Sequence, residues 1–261
     1  MEGPVAVHEA LAAGVLLDEL FVDGDAWAAA GPGSPMRAAV DVAAAAGTPV
    51  WSLPPGVLAN VSDTVTPQGL LAVAPRRTVT VVEACAAAGP VLVLVDVADP
   101  GNLGTLARAA EAAGASGLVV TGSGADPFGP KAVRAAAGSL LRLPVAEERD
   151  PVAAVAALAA AGRRVVATVA TAGAAPEDVD LAGPIAVLVG SEAHGLSVEV
   201  VSGADVGVTL PLVASVESLN AAARTPRTEA AGSSIRRSGS RVVWSRSSTS
   251  AAASRCGWLQ N

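Results

Sequence analysis

The sequence has no tyrosine, only 2% aromatic residues, two cysteines and two histidines. Cys85 and Cys256 lie far apart, and neither they nor His8 and His194 have the spacing of metal ligands, which argues against a zinc site and a disulfide framework. No apolar run approaches the roughly 18 to 20 uncharged residues that a membrane span needs. The first residues carry acids rather than the basic start of a signal peptide. We therefore expect a soluble, cytoplasmic protein without a bound metal.

The chain is rich in apolar residues, which make up 51% of its 261 residues and suffice for one large or two modest domains. Its net charge of -7 argues at first against a nucleic-acid partner, because phosphate binding needs basic surface. The charge is divided unevenly, however. Residues 1–223 contain 10 basic and 23 acidic residues, for a net -13, whereas residues 224–261 contain seven arginines and one acid, for +6.

The first 75 residues read as a small α/β domain. Helical spacing over 7–15 and 36–47 alternates with short apolar strands over 17–23 and 48–54, and a further strand follows the turn signal Pro-Gln-Gly before residue 75. Residues 76–90 are interpreted as a linker.

A cleaner alternation begins at residue 91. Helices are expected over 103–114, 130–141 and 151–162, and strands over 91–97, 116–122, 141–146, 163–170 and 184–190. This order predicts an α/β fold with a mostly parallel, doubly wound sheet, whose ligand would lie at the carboxyl ends of the strands.

Polar loops follow the strands over 91–97 and 184–190 and a further strand that begins at residue 206 and stops at Pro211. In the first, the turn Asp-Pro-Gly-Asn (99–102) leads into a helix with Arg108. Free backbone N–H groups at the helix start could bind an anion, but the pattern alone favours Asn102 as an N-cap and Arg108 as a solvated side chain. The second follows Gly190, where a bare backbone lets a ligand approach closely, and contains Glu192.

The third polar loop, residues 210–220, opens a helix that Ser218 or Asn220 could cap. His194, in the second loop, has no nucleophile motif beside it and reads as a loop residue rather than a base. The residues alone thus indicate a ligand site at one sheet edge, but no reaction.

Taken together, the three segments carry a resemblance to a known family. DPGNLGTLARAA (99–110), GSEAHGL (190–196) and LPLVASVESLN (210–220) resemble, in order and spacing, the signature motifs of SpoU-type RNA 2'-O-methyltransferases, which include ribosomal RNA and thiostrepton-resistance enzymes. Residues 4–75 more loosely resemble the family's ribosomal-protein-like RNA-binding domain, beginning later than is usual.

The resemblance implies a trefoil-knotted methyltransferase domain over 91–223, a homodimer, S-adenosylmethionine as cofactor and RNA as substrate. It implies that Arg108 acts on the ribose 2'-hydroxyl as a base or, since a guanidinium gives up its proton only with difficulty, as a clamp on an RNA phosphate. Backbone contacts to the cofactor are expected from Gly190, Leu210 and Leu219. Supporting roles are expected for Asn102, Glu192, Ser218 and Asn220.

The chain departs from the family after residue 223. Where an apolar helix is expected, residues 224–261 contain nine serines and seven arginines and no apolar stripe, so we expect disorder or poor packing. A reading-frame shift explains this abrupt change better than a basic RNA-binding arm, although both stay open. Ala136 also stands where the family tends to have serine.

The sequence is compatible with three functions. The leading one is 2'-O-methylation of RNA, most simply ribosomal RNA because of the N-terminal domain, with transfer RNA as the alternative. A catalytically impaired RNA-binding protein on the same fold is the second. A Rossmann-type enzyme is disfavoured, since no glycine-rich phosphate loop follows a strand.

Overall fold

The computed structural model describes residues 1–62, 64 and 66–210, together with the backbone of residues 236–238 and 241–243. The chain divides into two units, residues 1–226 and 227–261. In the second unit, Arg236–Ser238 and Arg241–Val243 pair as antiparallel strands, although the sequence predicts no regular structure there. The rest of the predicted tail lies outside the described residues.

The elements of the first unit alternate as the sequence predicts. The helices in its described part are α1 (Pro4–Ala12), α2 (Gly24–Ala29), α3 (Pro35–Ala45), α4 (Val57–Val61), α5 (Val81–Ala84), α6 (Pro100–Ala112), α7 (Pro130–Ala136), α8 (Ser139–Arg142), α9 (Pro151–Ala160) and α10 (Val198–Ser202). The strands there are β1 (Glu19–Asp23), β2 (Val50–Leu53), β3 (Leu70–Val73), β4 (Val91–Val95), β5 (Gly117–Thr121), β6 (Val145–Glu148), β7 (Arg164–Thr168), β8 (Ile185–Val189) and β9 (Val206–Val208). The short helices α2, α4, α5 and α10 are absent from the sequence prediction.

The first 75 residues form a three-stranded sheet in the order β2-β1-β3, with β2 parallel and β3 antiparallel to β1. Leu20 and Val22 of β1 point to the same face of the sheet, because every second residue of a strand lies on one face. There they join buried residues of α1 and α3, such as Val7 and Ala39, in one apolar cluster.

Residues 91–208 form a six-stranded, all-parallel sheet in the order β6-β5-β4-β8-β7-β9. Every residue of β4, β5 and β8 is buried, as expected of strands covered on both faces. Val91 and Val93 pack with α5, α9 and α10, whereas Leu92 and Leu94 pack with α6, α7 and α8. The predicted parallel, doubly wound sheet is confirmed.

Helices α6 and α7 pack closely through Gly104, which is fully buried between them. A Cβ at this position would lie 2.4 Å from the carbonyl oxygen of Ala132, 2.7 Å from the Cβ of Ala135 and 2.8 Å from the backbone nitrogen of Ala136. The absence of a side chain therefore sets the spacing between the two helices.

The single helix predicted over 130–141 is wrong. Ala137 and Gly138 adopt positive φ angles of 46° and 86°, which end α7, and α8 begins at Ser139. The strand predicted over 141–146 begins only at Val145, because Arg142 still belongs to α8.

The predicted linker has structure of its own. Its short helix α5 begins with a capping box, in which Thr80 and Glu83 bond each other's backbone nitrogens. The guanidinium of Arg163, whose residue is 5% exposed, donates to the carbonyl oxygens of Gly89, Cys85 and Ala87. The linker is thereby attached to the large sheet's layer.

Candidate ligand site at the carboxyl edge of the large sheet

The first and second motifs meet where the strand order reverses. The chain adds β5 and then β6 on one side of β4. It then crosses to the other side of β4, where β8 lies directly beside β4 and β7 lies beyond β8. The loops after β4 and β8 therefore lie next to each other at the carboxyl edge, the usual ligand position in such sheets. The side-chain nitrogen Nδ2 of Asn102 donates to Oε1 of Glu192 across this junction, at 2.7 Å.

The start of α6 is organised by Asp99, which is the N-cap. Its Oδ1 accepts from the backbone nitrogen of Asn102 at 2.8 Å, and its Oδ2 accepts from Nζ of Lys131 at 2.7 Å. Lys131, and next the Asn102 nitrogen, hold the pKa of Asp99 below its ordinary range. The interpretation of Asn102 as N-cap is thus wrong, since Asp99 caps the helix and the Asn102 side chain reaches Glu192 instead.

Arg108 lies two turns into α6 on its exposed side. Among the described residues, no hydrogen bond or ion pair engages its guanidinium. The structure places Arg108 on the same helix as Asn102 but gives the two side chains no direct contact. An exposed, unengaged guanidinium on this helix can bind a phosphate bidentately.

The loop after β8 closes tightly on itself. A Cβ on Gly190 would lie 2.3 Å from the carbonyl carbon of Gly195, so only glycine fits. The Gly195 nitrogen donates to the Ser191 carbonyl at 2.9 Å, with Gly195 at a φ of 68°. His194 is exposed, and its backbone nitrogen donates to Oγ of Ser191. This compact turn places glycine backbone and the Glu192 side chain at the sheet edge. Such an arrangement suits a ligand that must approach the backbone closely.

The third polar segment begins at Leu210, which is half-buried. The loop after β7 folds onto β9: the Gly173 nitrogen donates to Oγ1 of Thr209 at 2.9 Å, and the Thr209 nitrogen donates to the Ala174 carbonyl at 2.9 Å. Thr209 thus fixes the backbone directly before Leu210. Ser218, Leu219 and Asn220 lie outside the described residues.

Sequence reasoning missed three residues of this region. Asp99 followed by Pro100 is a signature of a helix start, with proline at the first helical position, so the N-cap was predictable. Lys131 and Thr209 gave no such signal, because their partners lie 32 and 36 residues away in the sequence.

The described residues contain neither a metal-binding cluster of side chains nor a membrane-spanning helix. No group of three or more histidine, cysteine, aspartate or glutamate side chains there is arranged to hold a metal ion. None of the helices there is long and apolar enough to cross a membrane.

The fold and this edge define a doubly wound α/β ligand-binding domain preceded by a small α/β module. Two sequence profiles identify the family. The profile of the SpoU rRNA methylase family matches residues 89–225, and that of the RNA 2'-O ribose methyltransferase substrate-binding domain matches residues 1–79. The chain belongs to the SpoU rRNA methylase family.

Relatives and solved structures agree with this assignment. The 23S rRNA (guanosine(2553)-2'-O)-methyltransferase RlmP of Bacillus subtilis is 34% identical over 67% of this chain and 69% of that protein. The 23S rRNA (uridine(2479)-2'-O)-methyltransferase of Streptomyces viridochromogenes is 39% identical over 47% of this chain and 45% of its own length. The chain thus spans less than half of the Streptomyces enzyme.

Two solved structures share the fold over most of the chain. The SpoU methyltransferase AviRb of Streptomyces viridochromogenes in complex with AdoMet (S-adenosylmethionine) has a TM-score of 0.73 at 28% identity, covering 86% of this chain and 84% of that one. An AdoMet-bound rRNA methyltransferase of Sinorhizobium meliloti also has a TM-score of 0.73 at 28% identity, covering 85% and 82%.

Proposed function

We propose that this protein transfers a methyl group from S-adenosylmethionine to a ribose 2'-hydroxyl of ribosomal RNA. The observation that carries the proposal is the Asn102–Glu192 hydrogen bond, which joins the first two family motifs at the sheet's switch point. Relatives named as 23S rRNA 2'-O-methyltransferases and AdoMet-bound structural neighbours support it.

When bound, S-adenosylmethionine supplies a methyl group on a cationic sulfur. This sulfur is a good leaving group, so the methyl transfer needs no metal. The tight turn at Gly190 has no side chain to block a cofactor, and Leu210 is half-buried at the end of its segment. Both are proposed to contact the cofactor through their backbone. Leu219 is the third contact that the family pattern suggests. The protein holds both reactants in line for the transfer and prevents unproductive orientations.

Arg108 is proposed to clamp an RNA phosphate beside the reacting ribose and to polarise the 2'-hydroxyl, whose proton passes to that phosphate or to water as the oxygen attacks the methyl group. Glu192 orients the Asn102 amide, whose carbonyl oxygen stays available as an acceptor for a hydroxyl. Ser218 and Asn220 are proposed to complete the site from the third motif.

Residues 1–75 are proposed to grip the RNA, residues 76–90 to link them to the catalytic domain, and residues 91–223 to form that domain with a knotted C-terminal part. A homodimer belongs to the proposal, since the family pattern takes part of each site from a second subunit. Because ribosomal RNA is the substrate, the cytoplasm is the proposed location.

The tail favours a second candidate function. The sequence of residues 224–261 has no apolar stripe where the family pattern has an apolar helix, and each fully buried Leu or Val of such a helix contributes roughly 1.5–3 kcal/mol. A chain that lacks this helix would bind RNA with impaired methyl transfer.

Titration calorimetry with S-adenosylmethionine separates the two candidates. The chain as it stands is compared with a version whose residues after Ala223 are replaced by an apolar amphipathic helix. Binding by both supports the methyltransferase as written, and binding only by the repaired version identifies the tail as a lesion. Binding by neither refutes the cofactor assignment.

Methyl transfer itself is read on ribosomal RNA fragments as resistance of one phosphodiester to alkaline cleavage, which a 2'-O-methyl group blocks. Transfer RNA is the comparison substrate. Preferential methylation of transfer RNA would contradict the ribosomal assignment.

Salt dependence tests whether the tail is an RNA-binding arm. Each phosphate contact on single strands contributes about -0.7 to the slope of log affinity against log salt. An arm with seven arginines predicts a distinctly shallower slope after truncation at residue 223, whereas a lesion predicts little change in the slope.

A further inference from the structure

One guanidinium connects the two sheets' layers in the first unit. Arg142, the last residue of α8, donates through Nη1 to Oε2 of Glu9 on α1 at 2.5 Å. Through Nε and Nη2 it also donates to both carboxylate oxygens of Glu111 on α6, at 2.6 and 2.9 Å. The side chains are about one-third exposed, so solvent screens this network only in part.

Glu111 places this network on the helix of the candidate site. It lies three residues after Arg108 on α6, so the two side chains are neighbours along the helix surface. Oγ of Ser139 also donates to Glu111 at 2.6 Å, which fixes the carboxylate from α8. The Arg142 guanidinium thus touches the α1 helix of the N-terminal module on one side and the Arg108 helix on the other.

The break between α7 and α8 makes room for this arrangement. A Cβ on Gly138 would lie 2.5 Å from Nη1 of Arg142 and 2.7 Å from Oε2 of Glu9. Ala137 takes a left-handed conformation that alanine rarely adopts, and its carbonyl oxygen accepts from Nη2 of Arg142 at 3.3 Å. The strained backbone conformation at Ala137 indicates that the contacts around it have a functional role.

Charge pairing agrees with the geometry. The hydrogen bond from Arg142 lowers the pKa of Glu111, and the hydrogen bonds to Glu111 and then to Glu9 raise the pKa of Arg142. Glu111 and Arg142 therefore stay ionised at neutral pH.

We propose that Arg142 is a positioning residue: through Glu9 and Glu111 it holds the RNA-gripping module at a fixed place relative to the Arg108 helix. This inference rests on the proposed function of residues 1–75. The module selects a stretch of RNA, and the Arg142 network determines which ribose of that stretch reaches Arg108.

Glu9→Gln is the sharpest variant, because it removes the charge on the N-terminal side and keeps the Arg142–Glu111 pair. We expect the KM for ribosomal RNA to rise about five-fold, as for the loss of one partly exposed charge-assisted hydrogen bond. Because the module is then held less firmly, methylation should spread to neighbouring riboses, whereas the affinity for S-adenosylmethionine should stay unchanged. Glu177→Gln, the same change at an exposed glutamate outside this network, is the matched control.

A distance measurement tests the positioning without activity. Spin labels are attached at Ala45→Cys on α3 and Ala159→Cys on α9, both exposed, in a Cys256→Ser background in which Cys85 is buried. We expect Glu9→Gln and Arg142→Gln to broaden the distance distribution and Arg142→Lys to broaden it less. Glu177→Gln should leave it narrow.

An unchanged distance distribution in Glu9→Gln and Arg142→Gln overturns the proposal, as does methylation that stays confined to one ribose with an unchanged KM. If the unaltered chain methylates no RNA, the proposed function fails, and the label distances alone then decide whether Arg142 positions the module.

Discussion

Replacing Gly104 by alanine is expected to destabilise the protein, although alanine is the better helix former. Gly104 lies in the middle of α6, where the change to alanine normally gains about 1 kcal/mol. Here the new methyl group would meet the Ala132 carbonyl oxygen at 2.4 Å and the Ala136 nitrogen at 2.8 Å. Both are backbone atoms, so no side-chain rotation relieves the overlap and α7 must move away from α6.

The size of the effect follows from these two opposing contributions. Overpacking a well-packed core costs about 1–3 kcal/mol, and contact with rigid backbone places Gly104→Ala at or above the upper end. After the gain in helix propensity, a net loss of about 2 kcal/mol remains. For a unit of this size, that loss corresponds to a melting temperature lower by about 4–8 °C.

Gly31→Ala is the control, because a Cβ there meets nothing within 4 Å and the residue is exposed. Thermal unfolding followed by circular dichroism gives both melting temperatures. If Gly104→Ala unfolds at the same temperature as the unaltered protein or higher, the close contact of α6 with α7 is wrong. Activity supplies a second readout, since a displaced α6 moves Arg108.

Three further outcomes are expected. Arg163→Lys should lose about 2 kcal/mol in denaturant unfolding, because an ammonium cannot serve three buried carbonyls, while Arg164→Lys, at an exposed neighbour, should change stability by less than about 0.5 kcal/mol. Asn102→Asp would place a second carboxylate beside Glu192 and should lower kcat/KM about ten-fold in the methylation assay with little change in melting temperature; unchanged activity would exclude this contact from the site. Because its folded-state pKa is lowered, Asp99 stabilises the protein above the ordinary carboxyl pKa of about 4, and this contribution is lost as the pH falls through the lowered value; Asp99→Asn should therefore melt lower than the unaltered protein at pH 7, with the difference shrinking toward pH 2.

Much of the large sheet was predictable because its strands are buried on both faces. Runs such as Val91–Val95 and Ile185–Val189 are continuously apolar and bounded by turn residues, a pattern that few helices share at this length. The alternation with helices then implied parallel strands, and the position of the ligand loops followed from the rule for parallel sheets. The reaction did not follow from the pattern and came from the family motifs.

What the sequence left out depends on contacts between distant residues. The stretch around Ala137 reads as a continuous helix, and its break becomes intelligible only once Glu9, 133 residues from Arg142 in the sequence, is seen beside it. The pairing of Lys131 with Asp99 is of the same kind. Local propensity cannot register such partners, since it reports what a segment prefers before tertiary packing decides.

The distribution of positive charge explains why positioning should matter more than attraction in this protein. Of the ten basic residues in 1–223, six are engaged by protein carboxylates, carbonyls or a ring: Arg37, Arg76, Lys131, Arg142, Arg163 and Arg164. Arg77, Arg108, Arg134 and Arg149 have no such partner among the described residues. Four free cations on a body of net charge -13 give weak general attraction to RNA. For residues 1–223, we therefore expect the choice of ribose to depend on how rigidly residues 1–75 are held against α6, which is the role proposed for the Arg142 network.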